Sequence, residues 1–127
     1  MYNILTTINV LLYCFFMQKM SNQQFVNLAK IVSDTTRLKI LQILAKNGSL
    51  CACKILDELH VSQGTLSHHM QVLTAAKLVS CRKDGRWRHY RLLPETLCLM
   101  ATFIRDICSV SSPILLDECS CDEDAHK

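Results

Sequence analysis

Glycine and proline are scarce in this chain, whose 127 residues include three glycines and two prolines. Because these residues punctuate the many turns of all-β proteins, their scarcity favours a helical fold. The length favours one compact domain. Half of the residues are hydrophobic (50%) and 20% are charged, which excludes an intrinsically disordered chain.

The sequence signatures of several enzyme classes are absent. The chain has no glycine-rich phosphate loop, no serine-centred nucleophile elbow and no His-Glu-x-x-His zinc protease motif. No set of nucleophile, base and acid can be assembled from residues whose place the sequence pattern predicts. We therefore expect a protein that is not an enzyme.

The first residues also lack a positively charged leader with a small-residue cleavage site, so export is not supported. Residues 1–17 are apolar, but interspersed Asn and Thr weaken the case for a membrane span, which needs roughly 20 apolar residues. We expect residues 1–20 to be an apolar extension, with residues 1–19 arising from an upstream start codon, and no membrane partner. We expect a cytoplasmic protein, in which the thiols are reduced. The eight cysteines are Cys14, Cys51, Cys53, Cys81, Cys98, Cys108, Cys119 and Cys121.

Charge is distributed unevenly along the chain. Residues 117–127 hold five acidic residues and one lysine, so the rest of the chain carries thirteen basic and six acidic residues, a net charge of +7. Such a body suits a polyanionic partner. We expect residues 21–112 to form the folded domain and residues 113–127 to form a flexible acidic tail.

Apolar residues at helical spacing predict five helices. Ser33 or Asp34 caps the second of them, and Ser62 caps the fourth. A short third helix, a three-residue turn and the capped fourth helix form a helix-turn-helix pattern. The predicted helices span residues 22–32, 35–46, 52–59, 63–77 and 94–110.

A basic β-hairpin is predicted between the last two helices. Residues 79–83 and 86–92 have strand character around Asp84-Gly85, the strongest short-range hairpin signal. A two-residue turn there would pair Arg82 with Trp87 and place Cys81 on the buried face. The expected fold class is therefore mostly α with a small β-hairpin wing, a winged helix-turn-helix.

The fourth helix has a polar face that suits the reading of DNA. Burial of Leu66, Met70 and Leu73 turns the opposite face outward. Gln can read adenine in the major groove, and His or Ser can donate to bases or phosphates. An ordinary solvated face is the alternative, but the adjoining basic hairpin favours DNA. The predicted DNA-binding residues are Gln63, Gly64, Thr65, Ser67, His68, Gln71, Lys83, Arg86 and Arg88.

Two Cys-x-Cys pairs suggest chemistry with soft ions. Cys51 and Cys53 lie at the start of the third helix, where the helix N-terminus favours the thiolate that binds metals. Residues i and i+2 of a regular helix diverge by about 200°, so both sulfurs can bind one ion only if the first turn is distorted or Cys51 precedes it. The alternative is a pair of small residues that pack at the helix start. Cys119 and Cys121 could supply extra ligands or bind an ion themselves.

The stretch from residue 25 to residue 110 resembles the ArsR/SmtB family of winged helix-turn-helix metalloregulators. That resemblance implies a homodimeric repressor with an interface formed by the first and last helices. It also implies that binding of an inducer releases operator DNA. The motifs that carry the resemblance are Ser33-Asp34-Thr35-Thr36-Arg37-Leu38, Ser49-Leu50-Cys51-Ala52-Cys53, Val61-Ser62-Gln63 to His68-His69, and Asp84-Gly85-Arg86-Trp87-Arg88-His89-Tyr90-Arg91-Leu92.

The resemblance extends to the thiol pair. Cys51 and Cys53 match the third-helix motif of the arsenic-responsive branch, which commonly has a third cysteine three residues after the second. That position is Leu56 in this sequence, so the third thiolate for As(III) is missing. The sulfur atoms that could replace it belong to Cys14, Cys119, Cys121 or a small-molecule thiol.

The function expected from these features is a repressor that releases its operator when As(III) or Sb(III) binds Cys51 and Cys53, with no constitutive cofactor. Repression relieved by Cd(II) or Pb(II) is the alternative within the family, although that branch adds cysteines from an N-terminal extension and only Cys14 occurs here. In the family that this sequence resembles, another common site binds zinc through Asp and His on the last helix. That site is not expected here, because the helix has Asp106 but no His. Other classes are a metal-sequestering protein, which leaves the basic wing without a role, and a thiol redox sensor.

Overall fold

Five helices and a three-stranded antiparallel sheet make up the part of the chain that the computed structural model describes, residues 19–110. The predicted N-terminal extension, apart from its last two residues, and the predicted acidic tail lie outside these residues. In the described range no helix is both long and apolar enough to cross a bilayer. The elements are α1 (Asn22–Val32), α2 (Thr35–Asn47), β1 (Ser49–Cys51), α3 (Ala52–Leu59), α4 (Gln63–Ala75), β2 (Val79–Asp84), β3 (Trp87–Leu92) and α5 (Pro94–Val110).

Side-chain caps determine where α2 and α4 begin. The backbone N–H of Arg37 donates to the Asp34 carboxylate at 3.0 Å, so Asp34 is the cap of α2. At the start of α4, the Ser62 hydroxyl accepts from the backbone N–H of Thr65 at 3.1 Å. Each contact satisfies an amide that would otherwise lack a partner in the first turn. The predicted helix starts are confirmed.

We expect Asp34→Ala to lower the free energy of unfolding by about 1 kcal/mol at pH 7, because the cap is lost. The Arg37 amide that donates to the carboxylate holds the pKa of Asp34 below its ordinary value. This contribution is therefore complete above the unfolded-state pKa and is lost as the pH falls through the lower folded-state pKa. Urea unfolding at a series of pH values measures it. Asp34→Asn, which keeps a capping oxygen, is the control; a difference between wild type and Asp34→Ala that persists unchanged in acid would contradict the assignment.

The core lies between α2, α3, α4 and the start of β2. On α4 the side chains of Leu66, Met70 and Leu73 are buried, as predicted, so the opposite face of that helix is turned to solvent. Burial of each large apolar side chain stabilises the fold by about 1.5–3 kcal/mol. The fully buried residues are Ile40, Leu44, Ile55, Leu66, Met70, Leu73, Leu78 and Val79.

The turn between α3 and α4 contains a residue in the left-handed region. His60 has φ 54° and ψ 38° and ends α3 with its backbone N–H donating to the Leu56 carbonyl. A side chain at positive φ is strained, whereas glycine adopts this region freely. Ala76 is the C-cap of α4, and the next residue, Lys77, has φ 57°, which is why this helix stops at Ala75 and not at residue 77 as predicted.

Replacing His60 with glycine should therefore raise the free energy of unfolding by about 0.5–1 kcal/mol, after the extra entropy of the unfolded chain is subtracted. Denaturant titration of both proteins measures the change. His60→Val, which places a β-branched side chain at positive φ, should be less stable than wild type. A glycine variant that is less stable than wild type would show that the imidazole contributes more than the backbone strain costs.

The sheet contains a short strand that the sequence pattern did not predict. β1 pairs antiparallel with β3, which in turn pairs with β2, so the order is β1-β3-β2. Leu50 is opposite the buried Tyr90, and Cys51 is opposite His89. The segment before α3 is therefore attached directly to the wing by backbone hydrogen bonds.

The turn of the hairpin lies one residue later than predicted. Asp84 pairs with Trp87, so the two turn residues are Gly85 and Arg86. Gly85 has φ 59°, whereas Asp84 is not among the described residues with positive φ. In the predicted type I′ turn, both Asp84 and Gly85 would need positive φ. In the observed turn glycine is the first central residue, and only that residue needs positive φ.

Two predictions about the wing are wrong, for different reasons. Arg82 is opposite His89 and does not pair with Trp87. Every partner shifts by two residues, which leaves the faces of the strands unchanged. Cys81 was expected on a buried face, but it is exposed, because β2 is buried only at Val79 and projects from the core beyond it.

Helices α1 and α5 pack together and leave apolar side chains uncovered. The rings of Phe25 and Phe103 stack with their centroids 4.6 Å apart. Beside this contact Val26, Ile104 and Ile107 are 44%, 47% and 58% exposed. These apolar side chains of α1 and α5 are thus on the surface of the single chain.

Candidate DNA-binding face and thiol site

The residues predicted to bind DNA share one property, which is that every one of them is exposed. The first turn of α4 begins immediately after the Ser62 cap, and its outward face follows from the burial of Leu66, Met70 and Leu73. The wing carries its basic residues on β2, the turn and β3. On α4 the predicted residues are Gln63, Gly64, Thr65, Ser67, His68 and Gln71; on the wing they are Lys83, Arg86 and Arg88.

A groove with a volume of about 580 Å³ separates α4 from the wing. It brings together five of the nine predicted residues, and its floor is apolar because it is formed partly by Leu56, Leu66 and Met70. Gly64, Thr65, His68 and Lys83 do not line it. The predicted residues that do are Gln63, Ser67, Gln71, Arg86 and Arg88.

Two aromatic residues of the groove were not among the predicted DNA-binding residues. Trp87 is 61% exposed at the start of β3, and Tyr90 is buried three residues later. Burial raises the pKa of the Tyr90 hydroxyl, and the neighbouring Cys81 thiol acts in the same direction. The sequence contained a signal for Trp87, because it lies between two arginines. Aromatic and basic residues together are typical of surfaces that contact nucleic acid.

The start of α3 brings the two sulfur atoms of the Cys51-x-Cys53 pair together. Cys51 is the N-cap and has extended backbone angles, φ −74° and ψ 156°, so it precedes the first turn while Cys53 lies within it. Their Cα atoms are 5.5 Å apart, and their Sγ atoms are in contact, joined as a disulfide. Of the two geometries that would let both sulfurs bind one ion, the structure has the one in which Cys51 precedes the first turn.

The surroundings of the pair favour thiolates when it is reduced. The Cys51 side chain makes no capping hydrogen bond in the described structure, so this residue does not occupy the amides of the first turn of α3. These amides and the helix dipole stabilise negative charge at this position. Within residues 19–110, however, no three His, Cys, Asp or Glu side chains are grouped to hold a metal ion. Cys119 and Cys121 lie outside that range.

The thiol pair adjoins both parts of the DNA-binding face. Cys53 lines the groove between α4 and the wing. Cys51 is opposite His89 on β3, the strand that continues from Arg86 and Trp87. A change of geometry at the two sulfurs can therefore reach the wing through β1, and it can reach α4 through α3.

A family model described as bacterial regulatory protein, arsR family, matches residues 34–80. An uncharacterized HTH-type transcriptional regulator of Methanocaldococcus jannaschii is 48% identical over 66 residues, which cover 52% of this chain and 74% of that protein. The chain belongs to the ArsR family. The predicted family resemblance is confirmed, and this ArsR-family protein is a DNA-binding transcriptional regulator and not an enzyme.

The names of two relatives of this ArsR-family chain refer to resistance to arsenicals and to cadmium. The arsenical resistance operon repressor of Staphylococcus aureus is 47% identical over 73 residues, 58% of this chain and 69% of that protein. The CadC homolog of the same species, a cadmium resistance transcriptional regulatory protein, is 36% identical over 66 residues, 52% of this chain and 54% of that protein.

Solved structures show the same fold. A crystal structure of an ArsR family transcriptional regulator has a TM-score of 0.66 at 15% identity and covers 73% of this chain and 95% of its own. A homodimeric winged helix-turn-helix DNA-binding domain from Mycobacterium bovis has a TM-score of 0.55 at 24% identity and covers 73% and 91%. The winged helix-turn-helix fold predicted for this ArsR-family protein is thereby confirmed.

Proposed function

We propose that this ArsR-family protein is a cytoplasmic, homodimeric repressor that releases operator DNA when As(III) or Sb(III) binds Cys51 and Cys53. The observation that carries the proposal is the position of Cys51 at the N-cap of α3, which brings its sulfur onto that of Cys53 at the edge of the groove. The function requires no constitutive cofactor.

The chemistry of the pair fits a soft, trivalent ion. Thiolates are the ligands that such ions prefer, and two sulfurs in contact can bind one ion. Binding needs the dithiol form. Two molecules of a small thiol convert the disulfide to this form by exchange and leave as one small disulfide.

The DNA-binding face supports the proposed contact with an operator. Gln71 and Ser67 extend from α4 into the groove, where Gln can pair with adenine in the major groove. Arg86 and Arg88 approach from the wing with charges that suit phosphates. The two sides of the groove thus divide base reading from backbone binding.

Dimerisation would use the apolar surface of α1 and α5. Val26, Ile104 and Ile107 are exposed beside the Phe25–Phe103 stack, and a second copy of the chain would bury them. The Mycobacterium bovis domain of the same fold is a homodimer. A two-fold dimer would protect a pseudo-palindrome with half-sites about one or two DNA turns apart. Light scattering should give twice the chain mass.

Release would follow from strain at the junction of β1 and α3. An ion between Cys51 and Cys53 changes the geometry of the N-cap, and this residue is also paired with the wing at His89. A coupling free energy of about 1–3 kcal/mol is typical of allosteric proteins and changes operator occupancy several-fold or more.

Release by Cd(II) or Pb(II) is the second candidate within the family. The cadmium-regulator relative favours it, and thiolates are suitable ligands both for these ions and for As(III). For either kind of ion, further ligands would come from outside residues 19–110, so titration with each ion separates the two candidates.

Operator anisotropy during separate titrations with As(III), Cd(II), Pb(II) and Zn(II) tests the proposal. The probe is the promoter region upstream of the protein's own gene, and the buffer contains a reducing thiol. Release by As(III) or Sb(III) and not by Zn(II) is expected. Release by Cd(II) or Pb(II) alone would transfer the function to the second candidate, and absence of DNA binding would leave metal sequestration.

The contact between the two sulfurs favours a thiol redox switch as a further candidate. Peroxide would oxidise the dithiol to the disulfide and be reduced to two molecules of water, with no metal involved. Operator binding after mild peroxide, and again after reduction, tests it. Full operator affinity in the disulfide form would exclude this mode of control.

A further inference from the structure

The groove is much larger than a single ion needs. Its volume of about 580 Å³ falls within the range of about 300–1,000 Å³ that is usual for small-molecule sites. An As(III) ion held by Cys51 and Cys53 would occupy only the edge to which Cys53 contributes. The remaining space, bounded by the wing and α4, can hold a further molecule beside the ion.

As(III) forms three bonds to sulfur, and the pair provides two of them. No third His, Cys, Asp or Glu completes a ligand group in the part of the chain that is described. Leu56, one turn after Cys53, lines the groove with an aliphatic side chain that cannot bind the ion. The third sulfur must therefore enter the groove from outside residues 19–110.

The lining of the groove indicates which thiol would enter. Arg86 and Arg88 both line it, whereas it has no acidic side chain in its lining. Ser67 and Gln71 add hydrogen-bonding groups on the opposite side. Guanidinium groups bind carboxylates through charge-assisted, often bidentate hydrogen bonds. The groove thus selects for negative charge around the incoming sulfur.

We infer that the groove binds a thiol flanked by carboxylates, which supplies the third As–S bond while its carboxylates pair with Arg86 and Arg88. The inference rests on the proposed As(III) site. Two sources share this chemistry: a small thiol such as glutathione, and Cys119 or Cys121 with the acidic residues around them. In either case As(OH)₃ exchanges three As–O bonds for three As–S bonds, and three water molecules leave with the thiol protons. Arsenic is not oxidised or reduced.

This arrangement gives the inducer a direct effect on DNA. Arg86 and Arg88 are the wing residues that the proposed function assigns to phosphate contacts. Carboxylates that pair with both arginines would occupy the positions of the DNA phosphates. Release would then combine strain at the β1–α3 junction with competition for the same two side chains.

The test measures As(III) affinity by calorimetry without DNA. The full chain is compared as wild type, Arg86→Gln, Arg88→Gln and the matched wing control Arg82→Gln, whose side chain does not line the groove. Each protein is titrated in glutathione and, separately, in 2-mercaptoethanol, which has no carboxylate. Because speciation of As(III) in solution is the same for all variants at a given thiol, ratios between variants report on the groove.

In the Cys119→Ser/Cys121→Ser background we expect Arg86→Gln and Arg88→Gln to weaken As(III) binding about tenfold relative to Arg82→Gln in glutathione, and not in 2-mercaptoethanol. With the tail cysteines intact, the same arginine dependence in 2-mercaptoethanol would identify the tail as the source. Arginine variants that match Arg82→Gln under every condition would overturn the inference and leave the proposed function standing. As(III) affinity that is unchanged by Cys53→Ser would instead overturn the proposed function.

Discussion

Replacing Cys51 or Cys53 with serine should abolish release by As(III) without loss of operator binding. Serine is close to cysteine in size at either position but cannot provide a thiolate. We therefore expect the As(III) concentration for half-release to rise about 100-fold or more. Operator affinity should stay within about twofold of wild type, since neither change removes buried apolar surface. Anisotropy of labelled operator DNA with added As(III) measures both quantities.

Cys81→Ser is the matched control for these variants. Cys81 is an exposed cysteine on β2, opposite Tyr90 and outside the lining of the groove, so its replacement should leave release unchanged. Retained release in both the Cys51 and the Cys53 variant would move the inducer site elsewhere in the chain. Loss of operator binding in either variant would show that the pair supports the fold of the reading face.

The helix-turn-helix was predictable because its signals are local. The Ser62 cap, the apolar spacing that buries Leu66, Met70 and Leu73, and the three-residue turn before them all lie within one short stretch of chain. Each signal is produced by contacts between residues a few positions apart. The exposed face of α4, and with it most of the DNA-binding prediction, followed from these contacts alone.

β1 and the register of the hairpin were not predictable in the same way. β1 has three residues, too few to show alternation, and pairs with residues about forty positions later in the chain. The register depended on which of two adjacent residue pairs forms the turn, and a glycine at position 85 is compatible with both. These features determine the route from Cys51 to the wing.

The groove was also beyond the reach of local patterns. It is formed by α3, α4, β3 and the turn before β3, and it includes both Cys53 and the two arginines, Arg86 and Arg88, more than thirty positions later in the sequence. The sequence predicted the thiol pair and the basic wing as two separate features. Their shared surface follows only from the antiparallel pairing of β1 with β3 and the packing of α3 on α4.

The two sides of the groove should respond differently when Gln71 and Arg86 are each replaced with alanine. Gln71 is exposed on α4, where the amide can pair with a base, so Gln71→Ala should weaken operator binding by about 1–3 kcal/mol and leave random DNA unaffected. Arg86 lies in the turn of the wing, so Arg86→Ala should weaken binding to operator DNA and to random DNA alike, about fivefold at physiological salt.

Salt dependence separates the two roles without knowledge of the operator sequence. Loss of one phosphate contact should reduce the slope of log K against log salt by about 0.9 in Arg86→Ala, while Gln71→Ala should keep the wild-type slope. Arg82→Ala removes the same charge from a wing position outside the groove and should reduce the slope less. If Arg86→Ala weakened operator DNA only, the turn of the wing would read bases, and the division between α4 and the wing would have to be reversed. Arg86 also belongs to the inferred carboxylate site. Arg86→Ala should therefore weaken both the phosphate contact with DNA and the carboxylate binding that competes with it.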